Sequence, residues 1–164
     1  MATRQTNFES NFAWQKKYMP AVFNIVGPRL LMEAPLEIDM KECTDLMVLI
    51  AKDMRIGCRI RREGFLGFGD EFTIRSKVPS GAKTELAKIT EGWGDWLFYA
   101  HAEHDDLPSL AKWMIVDLHA WRAHMIRSRS AIKKGERPNN DGTHFVWFDV
   151  TSFPDNPPIC VDRG

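Results

Sequence analysis

Arg59, Arg61 and Arg75 are the residues whose type and spacing point most directly to chemistry. A guanidinium offers a planar fork of N–H donors that matches two oxygens of a phosphate. Arg59 and Arg61 are two apart, so an extended segment projects both to one side. Thr73 and Arg75 have the same spacing and would line the same side of a neighbouring strand. Three arginines and a threonine so placed make a surface that could track a phosphate backbone. The alternative is a solvated sheet face whose arginines pair with Asp and Glu. Arginine instead of lysine at all three positions favours the phosphate reading.

Carboxylates accompany this ladder. Glu33 closes an apolar, helix-like stretch, Asp45 opens an apolar run, and Glu85 lies one helical turn before Lys88. Acidic side chains gathered at one sheet edge could hold Mg²⁺, which favours carboxylates and keeps several waters. The ion could then activate water against a phosphodiester. Taken singly, Asp45 also reads as a turn residue at a strand start, and Glu85 as a first-turn helix residue favoured by the dipole.

Histidine and cysteine add little. His101 and His104 are three apart, and His119 lies five before His124, but no cysteine pair has metal-ligand spacing. His101 and His104 read as a polar loop after a strand. Cys58 alternates with Ile56 and Ile60, which suits a buried structural thiol better than a nucleophile. Trp93, Trp96 and Tyr99 cluster near Gly94, where aromatics could stack on unpaired bases. Core filling is the simpler role for most of them, and Trp93, flanked by glycine turns, is the one expected at the surface.

Several elements must position these residues. The spacing predicts a helix to about Met19 and a second from about Ala21 to Glu33, broken near Gly27-Pro28. Thr44 to Ala51 has strand composition, and Lys52 to Met54 reads as a hairpin turn into a strand from Arg55 to Arg61. Gly64 to Gly69 is a glycine-rich connection, and Glu71 to Val78 is a third strand, which makes a three-strand meander. A helix over Thr84 to Trp93, strands over Asp95 to His101 and Lys112 to Val116, and a helix from Leu118 to about Lys134 follow. Thr143 to Val150 is a last strand after the turn at Asn139 to Gly142. The proline-rich tail from Pro154 reads as irregular.

These elements predict an α/β (α+β) domain with a mixed central sheet flanked by helices. A single domain over 1–164 is expected, with an N-terminal helix over 1–20, a core over 21–102, a strand-helix-strand extension over 103–153 and a tail over 154–164. Lys and Arg total 22 and so do Asp and Glu, which argues against coating DNA by bulk electrostatics. No apolar run approaches the ~20 residues of a membrane helix. Three cysteines without regular spacing suit reduced thiols in the cytoplasm.

The order helix, Asp45-bearing strand, strand to Arg61, strand to Val78, helix and strand to His101 resembles the αβββαβ core of the PD-(D/E)XK nuclease superfamily. The likeness covers roughly Ala21 to Ala102. It implies a restriction-endonuclease-like fold, Mg²⁺ on Glu33 and Asp45, and catalysis by these two with Arg61 and Glu85. Arg59, Arg61, Thr73, Arg75 and Lys88 would then bind nucleic acid, DNA included. The strand that should carry the family's acid-x-lysine pair reads Gly57-Cys58-Arg59-Ile60-Arg61, without it. The resemblance therefore implies a degenerate nuclease, a site rebuilt with Glu85 or Glu71, or a fold kept for DNA binding. The chain is also similar in style to small phage-encoded proteins, which would place it in the host cytoplasm. In that case a non-catalytic protein that binds and regulates a protein partner is the alternative, and the many aromatics leave room for a homodimer.

Overall fold

Alternating apolar side chains that must be covered on both sides define the centre of the molecule. The computed structural model describes residues 10–33, 46–48, 54–68 and 70–164. Strand β5 (Trp96–Ala102) and strand β6 (Leu110–Asp117) pair antiparallel, and β5 is buried along almost its whole length. Phe98, Ala100 and Ile115 face one way, while Leu97, Tyr99, Met114 and Val116 face the other. Both faces therefore need a covering layer.

A helix over 10–16 (α1) and helix α2 (Met19–Val26) cover the first face. Pro20 sits in the first turn of α2, where its missing N–H is harmless. Tyr18, Val22 and Val26 pack on Phe98, Ala100 and Ile115. Two indole and phenol bonds fix the layer: Trp14 Nε1 donates to Asp105 O at 3.0 Å, and Tyr18 OH donates to His104 O at 3.1 Å.

Strand β3 (Ile56–Arg61) joins β5 in parallel, and strand β9 (Cys160–Arg163) joins β6 antiparallel. This completes a mixed sheet in the order β3-β5-β6-β9. A second, antiparallel sheet has the order β4-β8-β7, formed by β4 (Glu71–Lys77), β8 (His144–Asp149) and β7 (Lys134–Pro138). Its Phe72, Ile74 and Phe148 meet Leu97, Tyr99 and Val116 of the first sheet. Trp121 of helix α4 (Leu118–Arg127) joins the same cluster. Asp117 caps α4 by accepting from the backbone N–H of His119 and Ala120 at 2.7 and 2.9 Å. The short helix α3 (Glu85–Thr90) is capped by Thr84, which accepts from Ala87 N at 3.2 Å. Among the described residues no helix is long and apolar enough to cross a membrane.

The mixed α/β composition expected from the sequence is what forms, but its wiring differs. β3 and β4 are not neighbours in a meander; they belong to different sheets. Their connection is a six-residue 3-10 helix, Glu63–Phe68, not a tight turn, so β4 is free to find β8 some seventy positions on. Strand β1 (Leu31–Glu33) and strand β2 (Leu46–Val48) pair with each other as a separate two-stranded ribbon. Glu33 is thus a strand residue and not the end of a helix. α2 stops at Val26 and a 3-10 turn follows over Gly27–Leu30, because Pro28 brings no N–H to continue the α-helical ladder. Asp45 and the expected hairpin turn at Lys52 and Asp53 lie outside the described residues. The helix expected to reach Lys134 ends at Arg127, and Lys134–Pro138 is β7. The tail expected to be irregular supplies β9, paired with β6 at Met114 and Arg163.

Candidate functional site

Register builds the site. β3 runs beside β5 with Arg59 opposite Tyr99 and Arg61 opposite His101. Those four side chains share the face away from α1 and α2, whereas Ile56, Cys58 and Ile60 pack on the helical layer. In the second sheet, Arg75 and Arg137 both pair across to Phe145, and Thr73 pairs across to Trp147. The 3-10 helix between β3 and β4 brings Phe65 and Phe68 over this junction. The face expected from the sequence is real, but two sheets build it in place of one.

Two adjoining spaces result. A groove of about 680 Å³ is lined by Arg59, Arg61, Arg62 and Arg75, with Phe12 and Trp14 on its α1 side. Glu85 and Asp141 are the carboxylates of its lining. A smaller cavity of about 60 Å³ shares Arg61 and Phe65 with the groove. Tyr99, His101, Thr73 and Glu71 line its interior.

The arginines are not equivalent. Arg59 is salt-bridged to Glu85, and donates to Thr73 O at 3.3 Å and Thr73 Oγ1 at 3.4 Å. Arg62 pairs with Asp105 at 3.2 Å and lies 4.5 Å over the Trp14 ring. Arg137 meets Glu71 at 3.4 Å, with Phe68 and Trp147 each 5.1 Å from its guanidinium carbon. Arg61 differs from all three. It lies 4.1 Å from the Phe65 ring centroid and 5.7 Å from that of Phe145. No carboxylate among the described residues pairs with it. Burial lowers its pKa below the usual arginine value, and the nearby Arg59 charge adds to that. A half-buried cation without an anion is costly unless something supplies one.

Burial also tunes the neighbours. His101 is only 2% exposed, and desolvation, with the charges of Lys112 and Arg61, lowers its pKa to about 4. Its imidazole is therefore neutral near pH 7, and it makes no hydrogen bond among the described residues. Tyr99 is pushed above the usual phenol value, chiefly by burial, and its hydroxyl shares a hydrogen bond of 3.2 Å with Thr73 Oγ1. Cys58 is likewise raised by burial, which makes it a poor nucleophile and fits the structural thiol expected there.

Of the residues singled out in the sequence, Arg59, Arg61, Thr73, Arg75 and Glu85 converge on this junction. Lys88 does not: it is exposed on α3 and lines neither space. Glu85 is engaged by Arg59 and by the Arg75 backbone N–H at 3.0 Å, so in this structure it holds the two arginines in place. Glu33 is placed only by its backbone, opposite Leu46, and the Glu33–Asp45 metal pair falls outside the described side chains. Among the described residues no three His, Cys, Asp or Glu come together as a metal-holding group. Trp93 is exposed as expected, 56% accessible with Arg55 5.0 Å over its ring, but Trp96 and Tyr99 pack inward.

Sequence reasoning missed His101, Phe65, Phe145 and Arg137. His101 was expected in a polar loop, yet it is a strand residue in the row Leu97, Tyr99, His101. That two-residue period was the available signal. Nothing local could have announced Phe145 or Arg137, which reach the site through a strand far along the chain. No family model, no curated protein and no solved structure matches this chain.

Proposed function

We propose that this protein binds single-stranded nucleic acid in the arginine- and aromatic-lined groove, with Arg61 as the central phosphate contact. The observation that carries this reading is Arg61 itself: a half-buried guanidinium, stacked between Phe65 and Phe145, with no carboxylate partner among the described residues. Fixed between rings, it loses little further freedom on meeting a phosphate, and low polarity around it strengthens the contact. Phe12, Trp14 and Phe65 make the groove lining aromatic as well as basic, the combination on which single strands are held. Zero net charge fits a local, short-footprint contact better than wrapping a long duplex. Cys58 and Cys160 are free thiols, which suits work in the reducing cytoplasm.

Fluorescence anisotropy with labelled single- and double-stranded oligonucleotides tests the reading. Wild type should prefer single strands, and Arg61→Gln should weaken binding by about tenfold or more, as expected for a desolvated charge-assisted contact. Equal affinity of wild type and Arg61→Gln would falsify it. A hydrolytic second reading has one supporting observation: β1 pairs Glu33 with Leu46, the residue after Asp45. Mg²⁺-dependent strand cleavage that disappears in Asp45→Asn would favour that reading over simple binding.

A further inference from the structure

The small cavity has features that a binding groove alone does not require. About 60 Å³ is the liquid volume of roughly two waters. That suits a compact tetrahedral group and not a base with its sugar. Its walls are chiefly apolar, and the few polar groups set among them suit an anion. No carboxylate among the described residues pairs with Arg61. His101 is 2% exposed, and its ring makes no side-chain hydrogen bond among the described residues. Thr73 and Tyr99 share one hydrogen bond, which uses one hydroxyl proton and leaves the other to donate. Glu71 is the opposing charge in the lining, and Arg137 holds it at 3.4 Å while stacked by Phe68 and Trp147. Two guanidiniums therefore face one carboxylate across an aromatic-walled space.

We infer that this cavity is a phosphate-monoester pocket that captures the terminal phosphate of a strand lying in the groove. The inference rests on the groove reading for the strand, and on the cavity alone for the phosphate. An internal phosphodiester must leave on two sides, and a space this small suits an end group better. A monoester also carries about −1.5 to −2 charge near pH 7, more than a diester. Arg61, shared by both spaces, would bridge the terminal phosphate and the chain behind it. His101 would donate one ring N–H as a neutral imidazole, and a Thr73 or Tyr99 hydroxyl would take a further phosphate oxygen.

The full-length protein can be titrated with inorganic phosphate at pH 7 while the ring signals of its five histidines are followed by NMR. A saturable shift confined to His101 is expected. In parallel, oligonucleotides with a 5′-phosphate, a 3′-phosphate or hydroxyls at both ends are compared by anisotropy. One phosphorylated end should bind at least tenfold more tightly than the hydroxyl form. His101→Gln should erase that preference. Absence of a His101 response together with equal affinity for all three strands overturns the pocket and leaves the groove reading intact. A phosphate response at His101 without binding of any strand overturns the groove reading and keeps the pocket. Equal small shifts at all five histidines would mean diffuse ionic effects only, and also overturn the pocket. The wild-type measurements stand on their own should His101→Gln fold poorly.

Discussion

His101 links the site to the stability of the fold at the level of one residue. It is buried on β5 beside Arg61 and Lys112, and its pKa falls from 6.5 to about 4. The unfolded chain thus takes up a proton on this residue at a higher pH than the folded chain does. Between about 6.5 and 4 the unfolded state binds more protons, so stability drops as pH falls through that window. Below about 4 the folded form is protonated too, and the loss levels off. The full effect is on the order of 3 kcal/mol. Urea unfolding at pH 7, 6, 5 and 4 should show a steeper decline for wild type than for His101→Gln, because carboxylates common to both cancel in the comparison. Parallel declines would mean that His101 is not held neutral by its surroundings. A phosphate dianion bound beside the ring would oppose this trend by favouring the protonated imidazole.

Elements set how far apart such residues can start in the chain and still meet. Gly135 of β7 lies opposite Trp147 of β8, and a Cβ there would sit 2.8 Å from the indole nitrogen. The indole in turn stacks on Arg137, which holds Glu71. Gly135→Ala should push Trp147 aside and destabilise by about 1–3 kcal/mol, as overpacking does. Gly64→Ala, in the 3-10 helix with nothing within 4 Å, should stay within about 0.5 kcal/mol of wild type. Chemical denaturation of the pair distinguishes a real close approach from general glycine sensitivity. The same two strands mark the limit of what the sequence discloses. Period-two alternation put Cys58 and Ile60 on one apolar face and Arg59 and Arg61 on the other, because that pattern is local; the apolar face is the one that packs on the helices. The start of the helix at Leu118 was legible in the same local way, and Asp117 caps it with two side-chain bonds. Strand partnership is not local: β3 joins β5 across β4 and α3, and β4 joins β8 near the end of the chain. The helix expected to run from Leu118 to about Lys134 left Gly135 just beyond its end for the same reason. Only the indole of Trp147, twelve residues later, explains why it is glycine. The cavity was legible at Arg61 and Thr73 and hidden at Phe145 and Arg137, which come from the distant sheet.

At the scale of the molecule, equal numbers of acidic and basic residues conceal an uneven distribution. Four arginines line the groove against two carboxylates, but their charges are not equally available. Arg59 is committed to Glu85 and Arg62 to Asp105, which leaves Arg61 and Arg75 to meet a strand first. Two phosphates neutralised on a single strand correspond to a slope of roughly −1.4 in log affinity against log salt. Engagement of all four arginines would give roughly −2.8. If the groove binds a strand as proposed, Glu85 acts as a brake: its carboxylate, paired with Arg59, competes with phosphate for that guanidinium. Glu85→Gln keeps an acceptor for the Arg75 backbone N–H and removes the competing charge. Binding should tighten, and the salt slope should steepen by about 0.7, one additional phosphate contact. A catalytic or metal-holding Glu85 predicts the opposite, lost activity with no gain in affinity. Anisotropy titrations at several salt concentrations on wild type and Glu85→Gln separate the two. A slope that does not change would mean that Arg59 stays with its Thr73 contacts and never reaches the strand.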